Sequence, residues 1–219
     1  MLDPVATFAN MARMENVAMR MALDLGIVGA VLGMGGCRTS GNAGLGTIKN
    51  TEMAGKKVLF DGTEASEKAN WVSEEHPDQA AAWPVKDGAM EVHGGNIASK
   101  VKFQNAHVHV DFMCPDMPTA IGQAKGNSGV YLQSKYEVQV LDSFGLFPLQ
   151  NNDCSAIYSL KAPMLNECLP PGEWQSYDIT YVGNTGKKGA PTITVVFNGV
   201  KVIDKFELPQ SVLEKGTTA

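Results

Sequence analysis

The sequence predicts an all-β protein, a sandwich of two antiparallel sheets, on three observations. Apolar and polar residues alternate with a period of two in several segments, the pattern of strands that are buried on one side. The 23 Gly and 11 Pro suit many short strands joined by turns better than long helices. No long amphipathic helix follows residue 37, and the 44% of apolar residues are enough to build a core.

The clearest alternation runs from Ala106 to Phe112, where apolar side chains share one face and His107, His109 and Asp111 share the other. Further strands are predicted at 127–133, 136–140, 174–182, 192–197 and 200–203. Asn198-Gly199 separates the last two and is a strong signal for a tight hairpin. These segments therefore predict antiparallel pairing.

Residues 1–37 are predicted to form a helical leader outside the sandwich. Basic residues precede the uncharged run LGIVGAVLGMGG at 25–36, which is shorter than the ~20 apolar residues that span a bilayer. This run and the small residues before Cys37 resemble a bacterial lipoprotein processing site. We therefore expect lipidation of Cys37 and an exported protein, periplasmic or at the cell surface, that meets the membrane only through this anchor. An amphipathic helix packed on the domain is the alternative.

Residues 38–56 are polar and glycine-rich and are predicted to be a flexible tether, which leaves 57–219 for the sandwich. The 18 basic and 23 acidic residues give a net charge of −5 without blocks of like charge, which disfavours nucleic-acid binding. Cys154 and Cys168 flank a short loop, and a disulfide between them would contribute roughly 3 kcal/mol. Cys114 is expected to be a buried free thiol.

The predicted polar face has few lysines and many groups that both donate and accept hydrogen bonds, as sugar-binding sites do. These residues are His107, His109, Asn127, Tyr131, Gln133, Glu137 and Gln139. Glu137 and Gln139 should project side by side, with Cα atoms about 6.5–7 Å apart. Asp142 is an even-numbered position on a strand whose polar face carries the odd-numbered residues, so it joins this face only through a bulge. Otherwise it caps a turn at Ser143 and Phe144. A metal ion held by His107, His109 and Asp111 is an alternative that rests on ligand type.

Residues 126–145, GNSGVYLQSKYEVQVLDSFG, closely resemble the central signature of the 3-keto-disaccharide hydrolase domain family. Segments at 58–62, 83–92, 94–112, 154–181 and 197–202 agree with the family in the same order. The resemblance implies a jelly roll of the concanavalin A-like lectin and glucanase type. It also implies that a late strand usual in the family is missing after Glu207, and that Ser155 stands where glycine is more usual.

The substrates implied by this resemblance are glycosides already oxidised to a ketone at C3 of the sugar. Glu137 is expected to be the base that removes the C2 proton, and the C1 group then leaves. Lys100 and Asp142 complete the expected catalytic set, with Lys100 and Asn127, or a divalent cation, facing the enolate oxygen. The expected substrate-binding residues are His109, Asn127, Tyr131 and Gln139. A non-catalytic carbohydrate-binding module on the same sandwich is the alternative function.

Overall fold

The computed structural model describes residues 5–9, 17–24, 56–183 and 189–209. The helix α1 spans Glu64–Asn70, and Thr63 caps it by accepting a hydrogen bond from the backbone N–H of Ser66. The strands are β1 (Val5–Ala9), β2 (Ala18–Asp24), β3 (Lys56–Val58), β4 (Trp71–Ser73), β5 (Val85–Lys86), β6 (Ala89–Glu91), β7 (Ile97–Lys102), β8 (Asn105–Met113), β9 (Asn127–Leu132), β10 (Tyr136–Leu141), β11 (Gln175–Val182), β12 (Thr192–Phe197) and β13 (Val200–Glu207).

In the described part of the chain these strands form two antiparallel sheets that enclose one hydrophobic core. Sheet A has the order β10-β9-β1-β7-β4. Sheet B has the order β13-β12-β11-β8-β2-β6-β5, with β3 also paired to β2. Buried residues of both sheets belong to the same core, which includes an aromatic cluster of Phe112, Tyr177 and Phe197. The β-sandwich expected from the sequence is confirmed.

The strands predicted from alternation are present within one residue of the predicted bounds, except β13, which continues from the predicted end at 203 to Glu207. In β8 the core side chains include Val108 and Val110, which are fully buried, and the polar residues lie on the other face as their parity requires. The Asn198-Gly199 turn joins β12 to β13, and both of its residues have the positive φ of a type I′ hairpin turn. Local sequence therefore determines these elements.

The N-terminal residues differ from the expected helical leader. Residues 5–9 form β1, which lies between β7 and β9, and residues 18–24 form β2, which lies between β6 and β8. Val17 and Met19 are fully buried in the core. The helical part of the prediction is therefore wrong for these residues, because their backbone groups pair with neighbouring strands in both sheets. Cys37, the apolar run at 25–36 and nearly all of the predicted tether lie outside the described residues.

In the described sheets β1 and β2 both occupy interior positions, with a hydrogen-bonded strand on each side. Among the described residues, no helix has the length and apolar character needed to cross a bilayer.

Candidate active site on sheet A

Strands β9 and β10 carry two different faces. Their even-numbered side chains, among them Val130 and Val138, are fully buried in the core between the sheets. Their odd-numbered side chains lie on the opposite face, where Glu137 pairs with Tyr131 and Gln139 pairs with Gly129 across the strands. A strict period of two thus places the predicted site residues of these strands together, away from the hydrophobic core.

Glu137 is the central ionisable group of this face. Its side chain is only 5% exposed, and its Oε2 accepts a hydrogen bond from the Tyr131 hydroxyl at 2.7 Å. Burial raises the pKa of Glu137 to about 7, although the hydrogen bond from Tyr131 opposes the shift. A carboxyl group with this pKa is well matched to proton abstraction near neutral pH.

Gly129 provides the space in which the Glu137 side chain lies. A Cβ atom at position 129 would overlap Glu137 Oε1 and would lie 2.7 Å from its Cγ and Cδ. The glycine of the Asn-Ser-Gly motif is thus required by the close approach of a side chain rather than by backbone conformation.

Replacing Gly129 by alanine is expected to lower kcat/KM on the proposed substrate by about 10²-fold, because a carboxylate displaced by roughly 1 Å loses its alignment. Gly95→Ala is the matched control, since a Cβ there meets no atom within 4 Å. Steady-state kinetics and thermal unfolding of both variants measure the effect. An unchanged kcat/KM in the folded Gly129→Ala protein would contradict the role of Gly129.

Gln139 and Asn127 belong to a buried amide network. Gln123 Nε2 donates to the Asn152 carbonyl at 2.8 Å, and Gln123 Oε1 lies 3.0 Å from the Gln139 amide and 3.1 Å from Asn127 Nδ2. When its nitrogen faces Glu137, the Gln139 amide donates to Glu137 Oε1 at 3.1 Å and to the Ser128 carbonyl at 2.9 Å. In that orientation the Gln139 oxygen faces Gln123 Oε1 at 3.0 Å, so Gln139 alone donates to Glu137 Oε1 while Tyr131 donates to Oε2.

Asp142 is engaged at the end of β10. Its Oδ2 lies 2.8 Å from Lys125 Nζ, and its Oδ1 accepts a hydrogen bond from the Phe144 backbone N–H. This is the turn-capping arrangement that the sequence offered as the alternative to a catalytic role. The buried carboxylate is thus paired with a partly buried lysine, and its two oxygens stabilise the turn after the strand.

Lys100 lies on β7, three strands from β10 in sheet A, which corresponds to about 14 Å between the strands. Its ammonium group donates to the Lys68 carbonyl at 2.8 Å, near the C-terminal end of α1. The structure therefore pairs Lys100 with the helix and does not bring it to the Glu137 carboxylate.

His109 lies on the outer face of sheet B, so the core separates it from Glu137. Its Nδ1 is 2.7 Å from Asp178 and its Nε2 is 3.2 Å from Asp111. The hydrogen bond to Asp111 has the larger effect and that to Asp178 the smaller, and together they raise the pKa of His109 to about 10. The ring is therefore a cation at neutral pH. His109 therefore does not join the other predicted substrate-binding residues.

The alternative metal site on His107, His109 and Asp111 does not fit this geometry. Both ring nitrogens of His109 already face carboxylate oxygens, Nδ1 that of Asp178 and Nε2 that of Asp111. His107 uses Nδ1 with Thr180 at 3.1 Å. The described residues contain no group of three or more His, Cys, Asp or Glu side chains that could hold a metal ion.

Cys154 and Cys168 are buried neighbours, but both are free thiols in the structure. Their side chains are joined by a hydrogen bond, and Cys154 Sγ also lies 3.1 Å from the Tyr177 hydroxyl. The two residues of the predicted disulfide are thus side by side, while the covalent bond is not formed. Cys114 is a buried free thiol, as expected.

Ser155 shows why glycine suits this position. Its φ is +63°, a left-handed conformation that costs an ordinary residue about 1 kcal/mol or more. Its buried hydroxyl has no hydrogen-bond partner among the described residues. Serine therefore carries two small penalties at this position, one in the backbone and one in the side chain.

Ser155→Gly is expected to raise the free energy of unfolding by about 1 kcal/mol, because it removes both penalties against a smaller entropic cost. Ser159→Gly is the matched control, since Ser159 has φ +61° but is exposed. Chemical denaturation of both variants measures the difference. Equal effects of the two substitutions would show that the buried hydroxyl contributes nothing.

Sequence reasoning missed Gln123, Lys125 and Asn152. The first two lie in and beside the short 3₁₀ turn Gly122–Ala124, just before the Asn-Ser-Gly motif. Asn152 contributes a backbone carbonyl, which has no signature in the sequence. The only available signal was the proximity of Gln123 and Lys125 to that motif.

Comparisons with known proteins agree with this architecture. The family description of a 3-keto-alpha-glucoside-1,2-lyase-like domain matches residues 55–217. The crystal structure of a provisionally assigned glycosyl hydrolase from Parabacteroides distasonis ATCC 8503 is 38% identical, with a TM-score of 0.62. That similarity covers 69% of this chain and 65% of the other chain. No curated protein matches the sequence.

Proposed function

Because the chain belongs to the 3-keto-alpha-glucoside-1,2-lyase-like family, we propose that it cleaves glycosides whose sugar carries a ketone at C3. The relative assigned to the glycosyl hydrolases supports a carbohydrate-active enzyme in general.

The chemistry begins with the acidity of the hydrogen on C2. A ketone at C3 stabilises the enolate that forms when a base removes this proton. The enolate then expels the oxygen substituent on C1, which leaves with a proton as an alcohol or a reducing sugar. Water can add back to the resulting double bond to give the 3-keto-sugar, so the overall change is hydrolysis without any redox step.

The observation that carries the proposal is the Glu137 carboxyl group, with its pKa of about 7, on the polar face of β10. It is held between Tyr131 and the Gln139 amide, so its position is determined before substrate binds. We assign Glu137 as the base and Gln139 as the group that orients it. Asn127 donates to Gln123 Oε1 beside this pair and receives no step.

Asp142 and Lys100 receive no step in this proposal. Their contacts hold the turn after β10 and the end of α1, respectively. The enolate oxygen still needs a donor or a cation, and a divalent ion remains a proposal for that role.

A carbohydrate-binding module is the second candidate. The partly exposed amide of Gln123 favours it, because such a group recognises sugar hydroxyls, whereas the amides of Asn127 and Gln139 are buried inside the protein. Glu137 favours the enzyme, because a buried carboxyl group with a raised pKa costs stability and serves no purpose in a neutral binding surface.

Incubation with 3-keto-trehalose in deuterated water separates the two candidates. The enzyme is expected to release 3-keto-glucose that carries deuterium at C2, and unoxidised trehalose is the matched control. Saturable binding without release or exchange at C2 would support the binding module and contradict the enzyme.

A further inference from the structure

Tyr131 and Glu137 form a hydrogen-bonded pair on the outer face of sheet A. The Tyr131 hydroxyl donates to Glu137 Oε2, while Glu137 Oε1 lies over Gly129 and beside the Gln139 amide. The two carboxylate oxygens thus have different partners. Oε2 is connected to an ionisable hydroxyl that is itself only partly buried.

Resting on the proposed function, we propose that Tyr131 is the acid that protonates the departing C1 oxygen and then recovers a proton from Glu137. Glu137 first takes the proton from C2. The Tyr131 O–H proton passes to the leaving oxygen as the C1–O bond breaks and a C1–C2 double bond forms. The proton on Glu137 then moves to the Tyr131 phenolate. The net transfer is one proton from C2 to the leaving oxygen, and both residues return to their starting states.

The charge on Glu137 sets the order of these events. Burial and the nearby negative charge of Glu137 both raise the pKa of Tyr131, so the phenol retains its proton while the carboxylate is ionised. Once Glu137 is protonated, that repulsion is gone and the carboxylic acid can donate back across the same 2.7 Å contact. Removal of the C2 proton therefore makes loss of the Tyr131 proton less costly, because the repulsion from the Glu137 charge disappears while the effect of burial stays.

The test uses three 3-keto-glucosides with p-nitrophenol, phenol and methanol as leaving groups, whose need for protonation increases in that order. Tyr131→Phe is expected to lower kcat/KM by about 10²–10⁴-fold on the methyl glucoside and by less than ~10-fold on the p-nitrophenyl glucoside. Tyr181→Phe is the matched control, because Tyr181 is buried on β11 in the other sheet. It is expected to keep the wild-type dependence on leaving group.

Two outcomes would overturn different claims. If wild-type protein releases no 3-keto-sugar from any of the three glucosides, the proposed function fails and this inference fails with it. If wild type is active but Tyr131→Phe loses the same factor on all three glucosides, Tyr131 only positions Glu137 and the inference alone fails.

A second variant guards against misfolding of Tyr131→Phe. Difluorotyrosine at position 131 keeps the ring and the hydroxyl but makes the phenol more acidic. The alkaline limb of kcat on the methyl glucoside is then expected to move to lower pH. An alkaline limb that does not move would also overturn the proposal.

Discussion

Replacing Glu137 by glutamine is expected to lower kcat/KM on a 3-keto-glucoside by about 10²–10⁴-fold, the usual contribution of a positioned base. Glutamine keeps the size of the side chain, and its carbonyl oxygen can still accept the hydrogen bond from Tyr131. The fold is therefore expected to persist while turnover is lost. Release of 3-keto-glucose, followed with circular dichroism on the same sample, measures both effects.

The pH dependence of the wild-type enzyme follows from the same group. Only the carboxylate can accept the C2 proton, so kcat/KM is expected to rise with pH and to level off above about 7, the pKa of Glu137.

The stability of the fold has the opposite dependence on pH. The folded-state pKa lies above the unfolded value of 4.5, so the contribution of this group to stability is complete below 4.5 and is lost as pH rises through about 7.

Glu137→Gln is thus expected to remove this pH-dependent loss of stability, which amounts to a few kcal/mol. Glu173→Gln is the matched control, because Glu173 is exposed in the turn before β11. It should keep wild-type kinetics and the wild-type pH dependence. Full activity of the Glu137→Gln protein would remove Glu137 from the mechanism. So would a plot of kcat/KM against pH that falls on the acidic side in this variant as it does in the wild type.

Deleting residues 1–24 is expected to abolish cooperative folding. The deletion removes β1 from the middle of sheet A and β2 from the middle of sheet B, which leaves the neighbouring strands of both sheets unpaired. A buried backbone group without a partner costs about 1–3 kcal/mol. A domain is stable by only about 5–15 kcal/mol, so a few such groups exceed the total. Size-exclusion chromatography and thermal unfolding of the shortened chain measure the result.

Substitutions at Met19 provide a milder version of the same test. Met19 is fully buried on β2, opposite Phe112 on β8 and Met90 on β6. Met19→Asp is expected to destabilise the fold strongly, whereas the matched Met19→Leu should cost less than about 1.5 kcal/mol.

The deletion has its own control, because a peptide of residues 1–24 added to the shortened protein should restore folding. Cooperative unfolding of the deleted chain at the full-length temperature would show that the two strands are dispensable.

This prediction also bears on export. Processing at Cys37 would remove both strands, so lipidation of Cys37 and the observed sheets imply different mature proteins. The intact mass of the protein recovered from cells distinguishes the two. Export and anchoring remain a proposal, and the apolar run at 25–36 is the feature that supports them.

The elements that local pattern predicted well are those whose two faces meet different surroundings. Segments 106–112 and 136–140 alternate because one side meets the core, and the structure places both in strands at almost the same bounds. Residues 18–24 read AMRMALD, which does not alternate clearly, so nothing in that stretch distinguished a strand from a leader. Pairing with β6 and β8 makes this segment a strand, and such pairing is a long-range property.

The candidate site shows the same division. Parity placed Glu137, Gln139, Tyr131 and Asn127 on one face, since alternation along paired strands is a local rule. It also placed His109 with them, because parity states which face of its own sheet a residue occupies but not which sheet contains its strand. Lys100 was misplaced for a related reason, since β1 separates β7 from β9.

Residue type and order were sufficient to establish a β-sandwich, the turn at Asn198-Gly199 and a polar face centred on Glu137. The partners of those elements came only from the folded chain: Gly129 beneath the carboxylate, Tyr131 bonded to it, and two N-terminal strands inside the sheets. Alternation states which face a side chain occupies, whereas the contacts of Gly129 and Tyr131 with Glu137 depend on the register between β9 and β10. The positions of β1 and β2 in the sheets depend on segments that lie far apart in the chain.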